Sequence, residues 1–490
     1  MLDVKDFIIE LGGDPEKIKE SQRRRYVKDG EKVVDEVIEL YQDHRKAQYA
    51  VTQVATKGKE VQKQIGAKLK AKEKADDLLA QKAELEKERK GLEESAKEKE
   101  AILRKTRRTI GNYIHDSVPV NDNEDFNPTL RTWAPKDVKV EKRDDFLSHH
   151  EVLLRLDGYE PERGAKVAGH RGYYLTGWGQ WLNMALQMYG QTILHGKGYK
   201  VVKPPTFMNK DLMALTAQLE QFDEELYKVV QDSDPKNDKY AIATSEQPIS
   251  AMHSGEWLQA KDLPIKYAGA SICFRKEAGS HGRDAWGIFR VHEFEKVEQF
   301  VITDPEKSWE AFEDMIGIAE DFYKSLGVPY RVVEIVSGAF NNSAAKKYDL
   351  EAWFPFQGEY KELVSCSNCT DYQSRDLEIR FGIKLQTDIQ KKYVHMLNCT
   401  LCATERALCC LLENFQGVNE TEDGTKVEGF HVPEPLRRYL PGEPDFLPFT
   451  KELPKDSTSQ KVKGKAPKPK GAAGAGGAKE AGDKLKDLKV

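Results

Sequence analysis

Residues 271–298 read SICFRKEAGSHGRDAWGIFRVHEFEKVE. Both ends are apolar and the middle is a charged loop studded with glycine, so the stretch predicts two strands joined by a long connection. The first strand closes on Phe274-Arg275-Lys276-Glu277, and the second carries Arg290, Phe294 and Glu298. Paired, they would present cations, an aromatic face and carboxylates on one surface. That set suits a nucleotide: guanidinium forks for phosphate, a ring for a base, acceptors for an amine. A solvated hairpin with ordinary cross-strand ion pairs fits these residues equally well, so the choice falls to the rest of the chain.

Downstream, 330–337 (YRVVEIVS), 348–355 (YDLEAWFP) and 361–367 (KELVSCS) read as strands, and 395–415 (HMLNCTLCATERALCCLLENF) passes from strand to helix near Thr400. Asp304-Pro305 caps a helix whose stripe is Trp309, Phe312, Ile316, Ala319, Phe322 and Leu326, ending at Gly327. Upstream, 240–248 (YAIATSEQP) is a strand entering a loop, 201–213 a strand stopped by Pro204-Pro205 and followed by a helix, and 171–199 a helix ending at Gly196. Strands at this spacing predict an antiparallel sheet flanked by helices, an α+β domain. Neither GxGxxG nor GxxxxGK[ST] occurs, so a Rossmann or P-loop site is unsupported.

The N-terminal part follows a different period. Val33, Val37, Leu40, His44, Ala47, Val51, Val54, Gly58, Val61 and Ile65 alternate in steps of four and three; Leu78, Leu85, Leu92, Ala96, Leu103 and Ile110 form a leakier return stripe interrupted by Lys82, Arg89 and Lys99. With a polar break at 66–77, this predicts a long antiparallel helical hairpin. A plain dimerisation coil and a probe for a phosphate backbone both fit it; the excess of Lys and Arg and the tip GAKLKAKEK favour the probe.

With 490 residues, 39 % of them hydrophobic, the chain is long enough for two or three domains. It contains no run approaching a membrane span and no secretory leader, which predicts a soluble cytoplasmic protein without a membrane partner. Its seven cysteines are few, odd in number and set among apolar neighbours, as reduced thiols would be. The net charge of −5 conceals a sorting: residues 57–109 and 455–490 each carry +6, leaving −17 on the remainder. Positive extensions on an acidic body are the layout of a chain that meets a polyanion with its appendages. The expected division is an arm domain at 1–115, a linker rich in Asn, Asp and Pro at 116–135, a body at 136–448 and a Lys-rich low-complexity tail at 449–490 that cannot bury a core.

FRKE at 274–277 with its loop and VHEF at 291–294, Pro205, Thr244-Ser245-Glu246 and Thr404-Glu405-Arg406 match the three motifs of a class II aminoacyl-tRNA synthetase. With the helical hairpin, the chain resembles the cytosolic seryl-tRNA synthetases of eukaryotes, fungi in particular, from residue 1 to about 445. The resemblance implies a homodimer that activates L-serine with ATP and Mg²⁺ and charges tRNA(Ser), gripping the tRNA's long arm through its backbone with the hairpin. It implies that Arg275 holds the α-phosphate and Arg406 the γ-phosphate, both catalytic, and that Glu277 reads the adenine amine while Phe294 stacks on the base. The remaining ATP-binding positions it implies are Lys276, Val291, His292, Glu293, Glu362, Leu363, Val364 and Ser365, with Glu362 and Ser365 on Mg²⁺. For serine it implies Thr244, Ser245, Glu246, Arg275, Glu298, Asn398 and Thr400. Loop 278–287 is expected to order over ATP and then admit the tRNA end at His281, Arg283 and Trp286. A non-charging paralogue on the same fold would have lost Arg275, Glu277, Glu362 or Arg406; all four are present.

Two further patterns invite metal. Ser148-His149-His150-Glu151 lacks a third ligand at a convincing spacing, and Cys366-x-x-Cys369 with Cys399-x-x-Cys402 falls on the ATP strand and the motif 3 region. The branch of this family that uses zinc departs from the Thr-Ser-Glu pattern kept here, so no zinc is expected.

Overall fold

The computed structural model describes residues 1–216, 224–277, 287–382 and 392–454. Helix α1 (Pro15–Arg24) starts on Asp14, whose carboxylate accepts from the Lys17 amide, with Pro15 at the first helical position. Then come α2 (Gly30–Lys70) and α3 (Asp76–Arg108), packed along their length and antiparallel: Ile65 and Leu78 share a cluster at the tip, Val34, Val37 and Leu103 one at the base. All ten positions of the α2 stripe are buried or half-buried, and so are the six of the return stripe. At about 1.5 Å per residue the 41 residues of α2 make an arm roughly 60 Å long.

Body elements follow in chain order: β1 (Thr129–Trp133), α4 (His149–Arg155), α5 (Gly177–Gly196), β2 (Lys200–Val202), α6 (Glu246–Ala251), β3 (Ile265–Phe274), β4 (Glu293–Thr303), α7 (Ser308–Ser325), β5 (Tyr330–Glu334), β6 (Lys346–Phe354), β7 (Glu359–Asn368), β8 (His395–Ala403) and α8 (Thr404–Asn414). The eight strands form one sheet in the order β1-β5-β6-β7-β8-β4-β3-β2, antiparallel throughout except where β2 joins β3. Alternation along β4 sends Val297 and Val301 to one face, where they pack with Phe312, Ile316 and Phe322 of α7, Leu182 and Leu186 of α5 and Leu408 and Leu411 of α8. Phe294, Lys296 and Glu298 point to the other face, which lines a cavity. Among the described residues no helix is long and apolar enough to cross a membrane.

Several stretches differ in detail from the sequence reading. Thr129–Trp133, inside the stretch expected as linker, is the sheet's edge strand β1, as its β-branched and aromatic residues allow. Beyond Pro204-Pro205 the chain forms a second strand, Phe207–Asn209, which pairs with Lys239–Ala241 in a separate small sheet. At the C-terminal end, Phe449 still packs on the core and Lys451 reaches Asp157, while residues 455–490, the bulk of the expected tail, lie outside the described residues.

Ser148 and Glu151 cap α4 reciprocally, so this part of the His149-His150 motif serves a helix start. His149 is buried 3.5 Å from Glu413. All seven cysteines are free and buried; Cys366 and Cys399 stand opposite each other on β7 and β8.

Candidate active site

The cavity, of about 420 Å³, is floored by β4, β7 and β8. Two β-bulges decide which side chains reach it. Opposite β6, Leu350 pairs with Val364 but Glu351 with Glu362, so β7 holds one extra residue; the slip puts Glu362 and Ser365, an odd number apart, on the same face. Opposite β4, Val297 pairs with Cys402 but Glu298 with Thr400, and the extra residue in β8 brings Thr400 and Ala403 to the cavity together.

At one end Arg275 lies across the Phe294 ring, 5.4 Å from its centroid, with its Nε donating to the Ala243 carbonyl at 3.3 Å. Glu277, at a left-handed φ of 48°, meets Arg290 at 3.2 Å. Arg406 projects from the first turn of α8, 3.5 Å from the Glu362 carboxylate and over the Phe289 ring. Surrounding protein pushes the Glu362 carboxyl up, but Arg406, Lys347, Arg275 and Arg290 outweigh it and hold the group below its ordinary value. The start of α8 is tied to β4 by Glu405, buried, which accepts from the Glu295 amide at 3.0 Å, Thr404 at 3.1 Å and Tyr173 at 3.1 Å. Burial and the neighbouring Glu295 push its carboxyl well up, and its hydrogen bonds to β4 and Tyr173 hold α8 in place.

Toward the other end stand Thr244, Glu246, Glu298, Asn398 and Thr400. Thr400 donates to Glu298 at 3.4 Å, and the Asn398 amide to the Cys369 sulfur at 3.6 Å. Glu246 accepts from Gln373 at 2.9 Å. Burial pushes its carboxyl up to about 7, against the pull of Gln373.

Thus Thr244, Glu246, Arg275, Glu277, Val291, Phe294, Glu298, Glu362, Leu363, Ser365, Asn398, Thr400 and Arg406 converge on one cavity. Five expected residues do not line it. The hydroxyl of Ser245 is buried without a partner among the described residues; Gly269 lies so close that a Cβ there would come within 2.7 Å of it. Lys276 meets Glu225 through its backbone, and the His292 ring turns back to the Arg275 carbonyl. Glu293 is exposed, and Val364 lies in the core. His281, Arg283 and Trp286 fall in 278–286, outside the described residues.

Residues that the sequence reading did not single out complete the lining. Lys296 shares the β4 alternation with Phe294 and Glu298, a signal that was available. Gln373 reaches Glu246 from 127 positions away, with no local signal at all. The base of the arm also borders the cavity through Arg108 and Thr109, and Asp376, another lining residue, meets Arg108 at 3.3 Å and Arg104 at 3.6 Å. Arg25 locks this joint: it donates to the carbonyls of Asn112, Asn341 and Ala344, and burial draws its guanidinium down to about 10.

Comparison with known proteins places this geometry. Residues 1–114 match the seryl-tRNA synthetase N-terminal domain, and residues 227–415 the tRNA synthetase class II core domain (G, H, P, S and T). The cytoplasmic serine–tRNA ligase of Schizosaccharomyces pombe is 61 % identical over 94 % of this chain and all of its own. Among solved structures, the cytoplasmic serine–tRNA ligase of Naegleria fowleri with AMP superposes with a TM-score of 0.77 at 44 % identity, covering 92 % of this chain and 99 % of that one. The seryl-tRNA synthetase of Pyrococcus horikoshii with ATP gives 0.78 at 36 %, over 92 % of this chain and all of that one. The chain belongs to the seryl-tRNA synthetases of the class II aminoacyl-tRNA synthetase family.

Proposed function

We propose that this protein is a cytoplasmic serine–tRNA ligase. It joins L-serine to ATP, giving seryl-adenylate and pyrophosphate, and passes the seryl group to the 3′ end of tRNA(Ser) for protein synthesis. The observation that carries the reading is the convergence of Arg275, Phe294, Glu362 and Arg406 with Thr244, Glu246, Glu298 and Thr400 on one cavity, in a chain 61 % identical to a serine–tRNA ligase over 94 % of its length.

Phosphoryl chemistry of this kind asks a protein for placement and charge rather than for covalent work. Arg275 holds the α-phosphate that the serine carboxylate attacks, and Arg406 holds the γ-phosphate of the leaving pyrophosphate. Phe294 stacks on the adenine, and Glu277, once exchanged from Arg290, accepts from its amine. Glu246 takes the serine ammonium; Glu298 and Thr400 read its hydroxyl. Among the oxygen donors of β7, Glu362 and Ser365 fit Mg²⁺, since the surrounding cations hold Glu362 as a carboxylate on the face it shares with Ser365. When bound with ATP, Mg²⁺ neutralises phosphate charge.

The arm, residues 1–115, serves as the tRNA-binding domain; 116–135, whose Thr129–Trp133 already belongs to the body's sheet, joins it to the catalytic body at 136–448, and the tail at 449–490 follows, its first residue Phe449 still on the core. A second copy covers the apolar face of α5, where Trp181, Met184 and Met188 are 41 %, 41 % and 51 % exposed, together with Phe207 nearby in sequence at 49 %. Serine-dependent exchange of label between pyrophosphate and ATP tests the assignment. Exchange with serine, and little with threonine or alanine, is expected; its absence would leave the fold with a non-charging, RNA-binding role.

A further inference from the structure

Beside the two carboxylates at the amino-acid end lies a cation with no part in the roles above. Lys296, 8 % exposed at its side chain, lies on β4 between Phe294 and Glu298 and on their face. Its ammonium donates to Thr244 Oγ1 at 2.7 Å and pairs with Glu298 Oε2. The amide of Glu246 donates to the same Thr244 oxygen at 3.3 Å. A hydroxyl has two lone pairs and one proton. With both lone pairs engaged, Thr244 has its O–H left to give. The two carboxylates differ in the same ordered way: Glu298 faces a cation, whereas Glu246 is held by the neutral Gln373 amide.

We propose that Lys296 is a positioning and specificity-determining residue that sets the polarity of the amino-acid site. By neutralising Glu298 it reserves that carboxylate for the substrate hydroxyl and leaves Glu246 as the carboxylate that draws the α-ammonium. By occupying Thr244 it turns that hydroxyl into a donor for a substrate carboxylate oxygen. Two uncompensated carboxylates in one cavity would both attract the ammonium, and the amino acid could then sit in two orientations. One lysine removes the choice. A buried acceptor fixed in this way also penalises alanine, which would leave it without the hydroxyl it was placed to meet.

The inference rests on serine activation as the reaction, and one assay separates its failure from the failure of that reading. Serine- and alanine-dependent pyrophosphate exchange is measured on the full chain, wild type and Lys296→Met, with the ATP dependence recorded alongside. In Lys296→Met the serine KM is expected to rise about a hundredfold while the ATP KM stays within about twofold, and the serine-over-alanine ratio of kcat/KM to fall at least about tenfold. A variant that keeps the ratio, or loses kcat for both amino acids at unchanged KM, overturns the role of Lys296; a wild type without serine-dependent exchange overturns the assigned reaction. Should Lys296→Met fail to fold, Thr244→Ser and Thr244→Val decide. The serine variant keeps the hydroxyl and should stay within about threefold in serine KM, the valine variant should lose about tenfold, and equal losses would sink the proposal.

Discussion

Along most of α2 and α3 burial follows one narrow stripe and most other positions face water; along β4 both faces are covered, one by helices and one by the walls of a cavity. In the distal arm the cluster holding the helices together contains Val61, Ile65 and Ala75, with Leu78 and Leu85 half-buried against it. The body's main cluster takes apolar side chains from six strands, β3 to β8, and from helices α4, α5, α7 and α8 at once. The arm therefore has little density to hold a substrate in fixed geometry but a long charged surface, and the body has the reverse. Each suits one of the two substrates: a large polyanion met through its backbone, and small molecules that must be placed to within a fraction of an ångström.

The sharpest way to break this contrast is at the phosphate end of the cavity. Arg275→Ala removes a preorganised cation from the reacting phosphate, and serine-dependent exchange should fall on the order of a thousandfold, as for loss of a single oxyanion donor. Stability should change little, since the Arg275 side chain meets the fold through a backbone carbonyl at 3.3 Å and the face of Phe294. Exchange within tenfold of the wild type would remove Arg275 from the chemistry.

Truncating the arm is the reverse experiment. Replacing residues 48–94 by a short turn leaves Leu103, Arg108 and Ile110 at the base and should leave exchange within about twofold. Aminoacylation of tRNA should fall about a hundredfold or more through KM, and the salt dependence of tRNA binding should flatten as phosphate contacts are lost. Size-exclusion measurement should show the dimer intact, because the face assigned to the second copy is on α5. Loss of dimerisation would favour the plain coiled-coil role for the arm. A third, smaller contrast lies in stability alone. Phe312, 1 % exposed and 4.7 Å from the Tyr348 ring, should cost about 3–5 kcal/mol as Phe312→Ala, whereas Val61→Ala in the thin arm seam should cost about 1 kcal/mol. Equal costs by chemical denaturation would mean that the arm and body are not packed so differently.

Those differences also set how much could be read in advance. The arm follows one periodicity, and all sixteen stripe positions chosen from it are buried or half-buried. Strands β5 to β8 were legible for the same reason, since a half-buried strand alternates and a buried one is continuously apolar. The cavity lining was legible only where alternation or motif residues reached it, as at Phe294 and Glu298. Bulges were not, because the extra residue in β7 or β8 is defined by what sits across the ladder. Gln373 and the Arg25 joint were invisible because they are contacts between segments far apart in the chain. Ser245 shows the opposite failure: a residue inside a recognised motif whose side chain is spent on close packing against Gly269.

The smallest effect separates the two carboxylates inside the cavity itself. Burial raises Glu246 to about 7 from an ordinary value of 4.5. A carboxyl raised on folding stabilises the fold below its unfolded pKa, and that contribution is lost as pH climbs from about 4.5 through about 7. Above that range the free protein carries an ionised Glu246 at a cost, and a serine ammonium beside it would offset the cost. Serine should therefore raise the melting temperature more at pH 8 than at pH 6, and its KM should climb as pH drops through about 7. Gln373→Leu removes the hydrogen bond that favours the charged form, so the midpoint of that profile should move up by about one pH unit, with the ATP dependence unmoved. A profile that is flat between pH 6 and 8, or one that shifts equally for ATP, would take Glu246 out of ammonium recognition and leave Glu298 as the carboxylate that meets it.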